Sequence, residues 1–399
     1  MTRYDVAIAG AGPSGSTTAF HLARAGARVI LLDRADFPRE KPCGGGVTAR
    51  AFARAPVDLT PVVEHTMTRV RFSYKLGGFF DYEYAPHGRP VTLVHMTQRH
   101  RLDEFLLKNA CDAGAAFHGG SQVRGLELER DGVRVTTDAE TIEAGVLVGA
   151  DGANGVVARS IGLQPVTDPP VALEAHFDYM NGTVPGDWSD VLALELGSMP
   201  GGYGWSFPKS DHFNVGCGGF HSEGGHLREH LSALRDHYGL QPLAMNHLRG
   251  HHLPTRDEGK PIVRGRAILV GDAAGLVDPM SGEGIYSAFV SGHLAAAKVL
   301  RFLDGKDADL YPYEAAIERE IMGDIRAAKV LRDAYHYTPA PCFFMLRRSE
   351  RLRTMLCQLI TGERSYQGYL RSLGPLRAVL TYWAGRGRKA REKALANRA

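Results

Sequence analysis

A chain of 399 residues, 44% hydrophobic and 23% charged with a formal net charge of +3, has length for two or three domains' worth of core and lacks the basic excess of a nucleic-acid binder. Its five cysteines (Cys43, Cys111, Cys217, Cys342, Cys357) are odd in number and form no Cys-x-x-Cys pair, which argues against a disulfide framework or a metal site and for a reducing cytoplasm. A strand that begins at Tyr4 leaves no room for a signal peptide, and no apolar run nears the ~18 residues of a bilayer span, so a soluble or at most peripheral protein is expected.

Residues 4–9 form a short apolar run of the buried parallel-strand kind. It leads into Gly10, Gly12, Pro13, Ser14 and Gly15, then a helical pattern to about Ala25 and a second apolar strand over 28–32 that ends in Asp33 and Arg34. Strand, glycine turn, helix, strand and terminal acid together make a dinucleotide fingerprint in its required context. Gly10 permits the tight turn, Gly12 lets backbone approach a pyrophosphate, and Gly15 lets helix and strand pack. The helix N-terminus faces the phosphates, and Asp33 is placed to accept from a ribose hydroxyl.

Residues 34–47, with Pro38, Pro42, Cys43 and the consecutive Gly44, Gly45 and Gly46, read as an irregular loop whose backbone lies against a flat ligand. β-Structure is expected over about 70–94, then a helix opening near Thr97 and running to about Ala113. Arg99 stands at its start, where reaching a phosphate or ribityl hydroxyl and pairing with Asp103 are equally open. Strands follow over 122–129, 132–136 and 141–149, the last ending in Asp151 and Gly152 at the carboxyl end of a parallel strand, where open α/β sheets bind ligands. From 165 to 256 the pattern alternates and is aromatic, as in an antiparallel second sheet, and period-2 geometry puts Tyr203, Trp205 and Phe207 on one strand face before Pro208. Core packing and a ligand-facing wall are equally open readings of that stripe. A strand over 266–270 runs into Gly271, Asp272, Pro279, Gly282, Gly284 and Ile285 and then a helix over 286–303, a second strand–glycine-loop–helix unit. A helix over 311–335 and further helices complete the chain. The basic tail with Arg386, Arg388, Lys389, Arg391 and Lys393 reads first as solvated and second as attracted to an anionic membrane.

Taken together, these residues resemble the FAD-dependent oxidoreductases related to aromatic hydroxylases, and within them the geranylgeranyl reductase family, over nearly the whole chain. The resemblance implies an α/β fold: a discontinuous Rossmann-like FAD-binding domain (1–69, 96–164, 257–305), an inserted mainly antiparallel substrate domain (70–95, 165–256) and a helical C-terminal region (306–399). It assigns Gly10, Gly12, Pro13, Ser14, Gly15, Asp33 and Arg34 to the ADP moiety, and Asp151, Gly152, Gly271 and Asp272 to the second and third short motifs. Arg99 becomes a flavin contact. The loop through Cys43, Gly44, Gly45 and Gly46 and that through Pro279, Gly282, Gly284 and Ile285 flank the isoalloxazine, and Tyr203, Trp205, Phe207 and Pro208 match a signature lining a prenyl-chain cavity. Asn154-Gly155 departs from the serine common in the group. The implied activity is saturation of isolated double bonds in a prenyl chain on a lipid, quinone or pigment precursor, with Cys43 supplying or relaying a proton and Gly44 and Gly45 beside it. The electron donor is NAD(P)H or a ferredoxin-like protein, and peripheral contact with the inner membrane face goes with such a substrate. The alternatives are an FAD-dependent monooxygenase on an aromatic or polyketide-like substrate, which shares every FAD motif, a halogenase, whose full tryptophan motif this chain lacks, and a flavin-bearing electron-transfer or binding protein, of which an electron carrier has no use for a long apolar cavity.

Overall fold

The computed structural model describes residues 3–396. Its first sheet centres on the Tyr4–Ala9 strand, which pairs in parallel with Thr141–Gly149 on one side and Val29–Leu32 on the other. Ala267–Leu269 and Ala116–His118 extend the parallel set outward. The central strands are runs of Val, Ile, Leu and Ala because both faces are covered; Val6, Ile8, Ile30, Leu31, Val146, Val148 and Ile268 are fully buried. The helices Pro13–Arg24 and Ile285–Leu303 pack on one another. Gly292 sets their approach, since a Cβ there would lie 2.8 Å from the Ser14 carbonyl oxygen. The parallel sheet takes strands from three separated parts of the chain, the expected discontinuity.

The second sheet has seven strands in the order Met245–His252, Val171–Asp178, His212–Gly219, Tyr203–Pro208, Val191–Leu196, Arg69–Tyr74 and Phe80–Glu83. All neighbours are antiparallel except Val191–Leu196 with Arg69–Tyr74. The C-terminal part is helical through Gly323–Tyr337, Pro339–Arg348, Glu350–Thr361, Tyr366–Ser372 and Leu376–Ala396. Among the described residues no helix is long and apolar enough to cross a membrane.

Four local expectations need correction. The loop over 34–47 is not wholly irregular: Gly46–Thr48 joins Val94–Met96 and His65–Met67 in a small third sheet. Ala116–His118 is a sheet-edge strand too short to show a period. Inside 165–256 lies a helix, Leu227–His237, whose Leu227, Leu231 and Leu234 form one buried stripe against the second sheet. The helix expected over 311–335 runs without a break from Tyr311 to Tyr337 but is not regular, carrying a single π-helical turn at Glu318–Met322.

Candidate functional site

One cavity of about 1120 Å³ runs from the Gly10–Ser14 turn and Asp33, past the Arg39–Gly46 loop, to the aromatic strand of the second sheet and on between the C-terminal helices. It brings together Gly10, Gly12, Pro13, Ser14, Asp33, Arg34, Cys43, Gly44, Gly45, Gly46, Arg99, Asp151, Gly152, Tyr203, Trp205, Phe207, Asp272, Pro279, Gly282, Gly284 and Ile285. Gly15, Gly271 and Pro208 do not line it. A Cβ on Gly15 would run into the Gly10 carbonyl, and one on Gly271 would lie 2.8 Å from Ser14 Oγ, so both act by close packing behind the wall. Pro208 is buried at the end of its strand, in register with Phe213.

At the dinucleotide end, Asp33 Oδ2 accepts from the Ala11 N–H at 2.9 Å and Oδ1 from the Ala35 N–H at 3.0 Å. A carboxylate has about four acceptor sites, so it fixes the turn and keeps capacity for a ribose hydroxyl. Two other expected contacts are tied internally. Arg99 grips Asp103 in a bidentate pair at 2.8 and 2.7 Å, the bland alternative at that position, while still lining the cavity. Asp151 Oδ2 accepts from the Val156 and Val157 N–H groups at 2.6 and 2.9 Å, and thus organises the following turn; its Oδ1 is buried with no hydrogen-bond partner among the described residues. Gly155 makes room for that carboxyl, since any Cβ there would overlap it. Serine at this position would force Asp151 aside.

At the other end, the Cys43–Gly46 backbone leans directly on the aromatic strand: a Cβ on Gly44 would lie 2.9 Å from two carbons of the Phe207 ring and 3.3 Å from Trp205 Nε1. Tyr203, Trp205 and Phe207 succeed one another with ring centroids 6.0 and 6.1 Å apart. Tyr203 is anchored by donating its hydroxyl to the Ser281 carbonyl at 2.5 Å, and Trp205 by donating Nε1–H to Asn214 Oδ1 at 2.8 Å. Leu192, Leu194 and Leu196, at alternate positions of the next strand, continue the apolar wall.

Several charged groups here had no signal in the sequence. Glu174 is 6% exposed, lines the cavity and accepts the Cys43 N–H at 2.8 Å. Lys209 is 2% exposed, donates to the Thr97 carbonyl at 3.1 Å and is pushed down to about 8 by burial. Lys41 is likewise pushed down to about 8 by burial, partly offset by Asp272; it meets His251 at 2.7 Å, and His251 stands 3.6 Å from Asp272. Arg50 holds Glu283 at 2.7 Å and Asp278 at 3.1 Å beneath the Pro279–Gly284 loop. Among the described residues no His, Cys, Asp and Glu cluster has the form of a metal site.

These residues fit FAD. The helices that start at Pro13 and Ile285 are capped by Gly12 and Gly284 without any side-chain hydrogen bond, and both starts open on the same cavity. Such free N–H groups are a phosphate site. Gly10 and Gly15 admit no side chain, which keeps the turn bare backbone. Two helix starts that would hold the phosphates, Asp33 that would take a ribose hydroxyl and two glycine loops that would flank the ring are the parts an FAD-dependent flavoprotein needs. Residues 3–193 match the FAD binding domain family. The chain is 32% identical over 360 residues to a geranylgeranyl diphosphate reductase of Rhodobacter capsulatus, covering 84% of this chain and 85% of that one. An uncharacterized protein of Methanosarcina barkeri is 32% identical over 346 residues, 87% of each chain. A geranylgeranyl bacteriochlorophyll reductase-like protein of Thermoplasma acidophilum shares the fold with a TM-score of 0.76 at 24% identity, covering 94% of this chain and 96% of that one. The chain belongs to the geranylgeranyl reductase family of FAD-binding oxidoreductases.

Proposed function

We propose that this protein saturates isolated double bonds of a prenyl chain of the geranylgeranyl type, carried on a lipid, quinone or pigment precursor. The observation that carries the reading is continuity: the apolar wall of Tyr203, Trp205, Phe207 and Leu192–Leu196 lies in the same cavity as the dinucleotide turn and meets it at the Cys43–Gly46 loop. An isolated alkene has no carbonyl to absorb developing charge. Bound reduced FAD supplies the hydride, and the protein must supply alignment, dryness and a proton. The wall holds the chain at ~0.8 kcal/mol per buried CH₂ and excludes water, and alignment against the ring lowers the barrier further. Cys43, at the meeting point of loop and wall, is assigned to the edge of the reacting alkene, where its thiol can relay a proton; Cys43→Ala with full FAD content and unchanged turnover removes that role.

The cavity also has a way out. It reaches Met345, Leu376, Val379 and Trp383, which are 50%, 65%, 51% and 43% exposed. The exposed Arg347, Arg348, Arg377, Arg386 and Arg388 lie on the same two helices, Pro339–Arg348 and Leu376–Ala396. An apolar mouth on helices that also carry exposed cations suits the anionic inner face of a membrane, from which a lipid-borne chain enters. The Arg391 and Lys393 part of the basic tail lies outside the residues whose side chains are described. Flotation with phosphatidylglycerol vesicles at low salt, lost in Trp383→Ser/Val379→Ser, is the expected result; absence of flotation in the wild type overturns the docking. The electron donor is assigned to NAD(P)H or a ferredoxin-like protein, separated by whether NAD(P)H alone bleaches the flavin. The test of the activity is anaerobic: dithionite-reduced holoprotein is reoxidised by geranylgeranyl diphosphate if the reading holds. A flavin that stays reduced until oxygen enters favours the monooxygenase.

A further inference from the structure

Glu174 is a buried acid of the cavity that forms no ion pair within 4 Å among the described residues. Arg50 lies at 2.7 Å from Glu283 and 3.1 Å from Asp278, and Asp272 has His251 at 3.6 Å. Glu174 instead sits in the middle of the Val171–Asp178 strand with amides as partners. Its Oε1 accepts the Cys43 N–H at 2.8 Å, and the Asn214 side chain hydrogen-bonds it as well. Asn214 Oδ1 is already taken by Trp205 Nε1–H, so its amide N–H₂ is the end left for Glu174. One hydrogen-bonded line therefore joins the aromatic wall, Asn214, Glu174 and the cavity loop. Directly across the sheet from Glu174 stand Gly216, which has no side chain, and Arg249, which also lines the cavity.

We propose that Glu174 is the acid that protonates the reacting double bond, resting on the prenyl-reductase reading above. The balance is simple. One alkene carbon takes the hydride that bound reduced FAD would supply; the Glu174 O–H bond breaks as a C–H bond forms on the neighbouring carbon, and solvent reprotonates the carboxylate after product leaves. Burial keeps the carboxyl protonated further up the pH scale than an ordinary glutamate, opposed chiefly by the Cys43 N–H. The charged and titratable groups around it are Cys43 on the loop, Arg99 on the Arg99–Asp112 helix, Lys209 beyond the aromatic strand and Arg249 across the sheet. Lys209 and Arg99 stabilise the carboxylate once the proton has gone. Cys43 on this account orients the acid through its backbone N–H, and its thiol is secondary.

The test uses FAD-loaded protein with Glu174→Gln, which keeps the shape and the acceptor for Cys43, beside Glu174→Asp and Cys43→Ala. The expected result is FAD content and chain affinity at wild-type level in Glu174→Gln. Its anaerobic single-turnover rate should fall by about 100-fold or more, the usual scale of a general acid. Glu174→Asp should recover part of that rate, and the wild-type rate should fall as pH rises through one ionisation that Glu174→Gln lacks. An independent readout is infrared spectroscopy: the wild type shows a protonated-carboxyl band near neutral pH that Glu174→Gln loses. A Glu174→Gln rate within about threefold of wild type, or a spectrum with no such band, overturns the proposal. If the wild type reduces no prenyl chain, the prenyl reading itself has failed, and the infrared band alone still decides whether Glu174 stores a proton.

Discussion

Gly216→Ala is the smallest change that tests the aromatic wall. A Cβ on Gly216 would overlap Cζ2 of Trp205 and lie 2.7 Å from both Trp205 Cε2 and the Leu173 carbonyl oxygen. The carbonyl is strand backbone and cannot move, so the indole must. Trp205 is 9% exposed and is tethered by its Nε1–H to Asn214. Displacement therefore costs an overpacking term of about 1–3 kcal/mol and a hydrogen bond of about 0.5–1.5 kcal/mol, which lowers Tm by a few degrees. If the shifted ring uncovers two or three CH₂ units of the chain at ~0.8 kcal/mol each, binding weakens by about 1.6–2.4 kcal/mol, roughly 15- to 60-fold. Titration of geranylgeranyl diphosphate into the oxidised holoprotein, followed calorimetrically, reads this directly. Gly218→Ala, two positions along the same strand, is the control: its Cβ would find Ala172 Cβ at 3.2 Å and the Val171 oxygen at 3.4 Å, a far milder approach. Equal effects of the two substitutions, or chain affinity unchanged in Gly216→Ala, would refute the reasoning.

Other outcomes follow from the same geometry. Gly15→Ala drives a Cβ into the Gly10 carbonyl and to 3.1 Å from Ala150 Cβ, so the purified protein should lose its flavin absorbance while retaining its far-ultraviolet circular dichroism. Arg50→Met leaves Glu283 and Asp278 buried without their cation, a loss of about 3–5 kcal/mol visible in thermal unfolding, and Arg50→Met/Glu283→Gln should recover part of it. Burial and the neighbouring His212 push His176 down to about 3, so between its ordinary value and that value the unfolded chain binds a proton that the folded chain refuses. Stability should therefore fall as pH drops from 7 toward 3, and His176→Phe, keeping the stack on His212, should flatten that limb of a Tm-versus-pH curve.

The dinucleotide end was legible because its signal is local. Strand, turn and helix lie within two dozen residues, and each glycine stands where one backbone must touch another. The aromatic stripe was legible in direction, since period 2 places alternate residues together. Whether it faced core or cavity was not, because that depends on the Cys43–Gly46 loop arriving from over 150 residues away in sequence. Glu174, Lys209 and Lys41 were invisible for the same reason: their partners Cys43, Thr97 and His251 are 131, 112 and 210 positions distant. Asp151 and Arg99 show the opposite failure. Both line the cavity, yet the Asp151 carboxylate takes a backbone N–H six residues on and Arg99 takes the aspartate one turn on. The Leu227–His237 helix carried a readable apolar stripe that the surrounding alternation masked.

The fate of the hydrogen tests prenyl reduction most directly. Holoprotein reduced anaerobically with one equivalent of electron pairs and mixed with a geranylgeranyl lipid should return oxidised flavin and a product heavier by one pair of hydrogens per flavin. In deuterated water both of that pair should be deuterium, because the N–H of reduced flavin and the acidic proton of the protein each exchange with solvent. A product unchanged in mass under anaerobiosis, which gains an oxygen atom only when air is admitted, would contradict it.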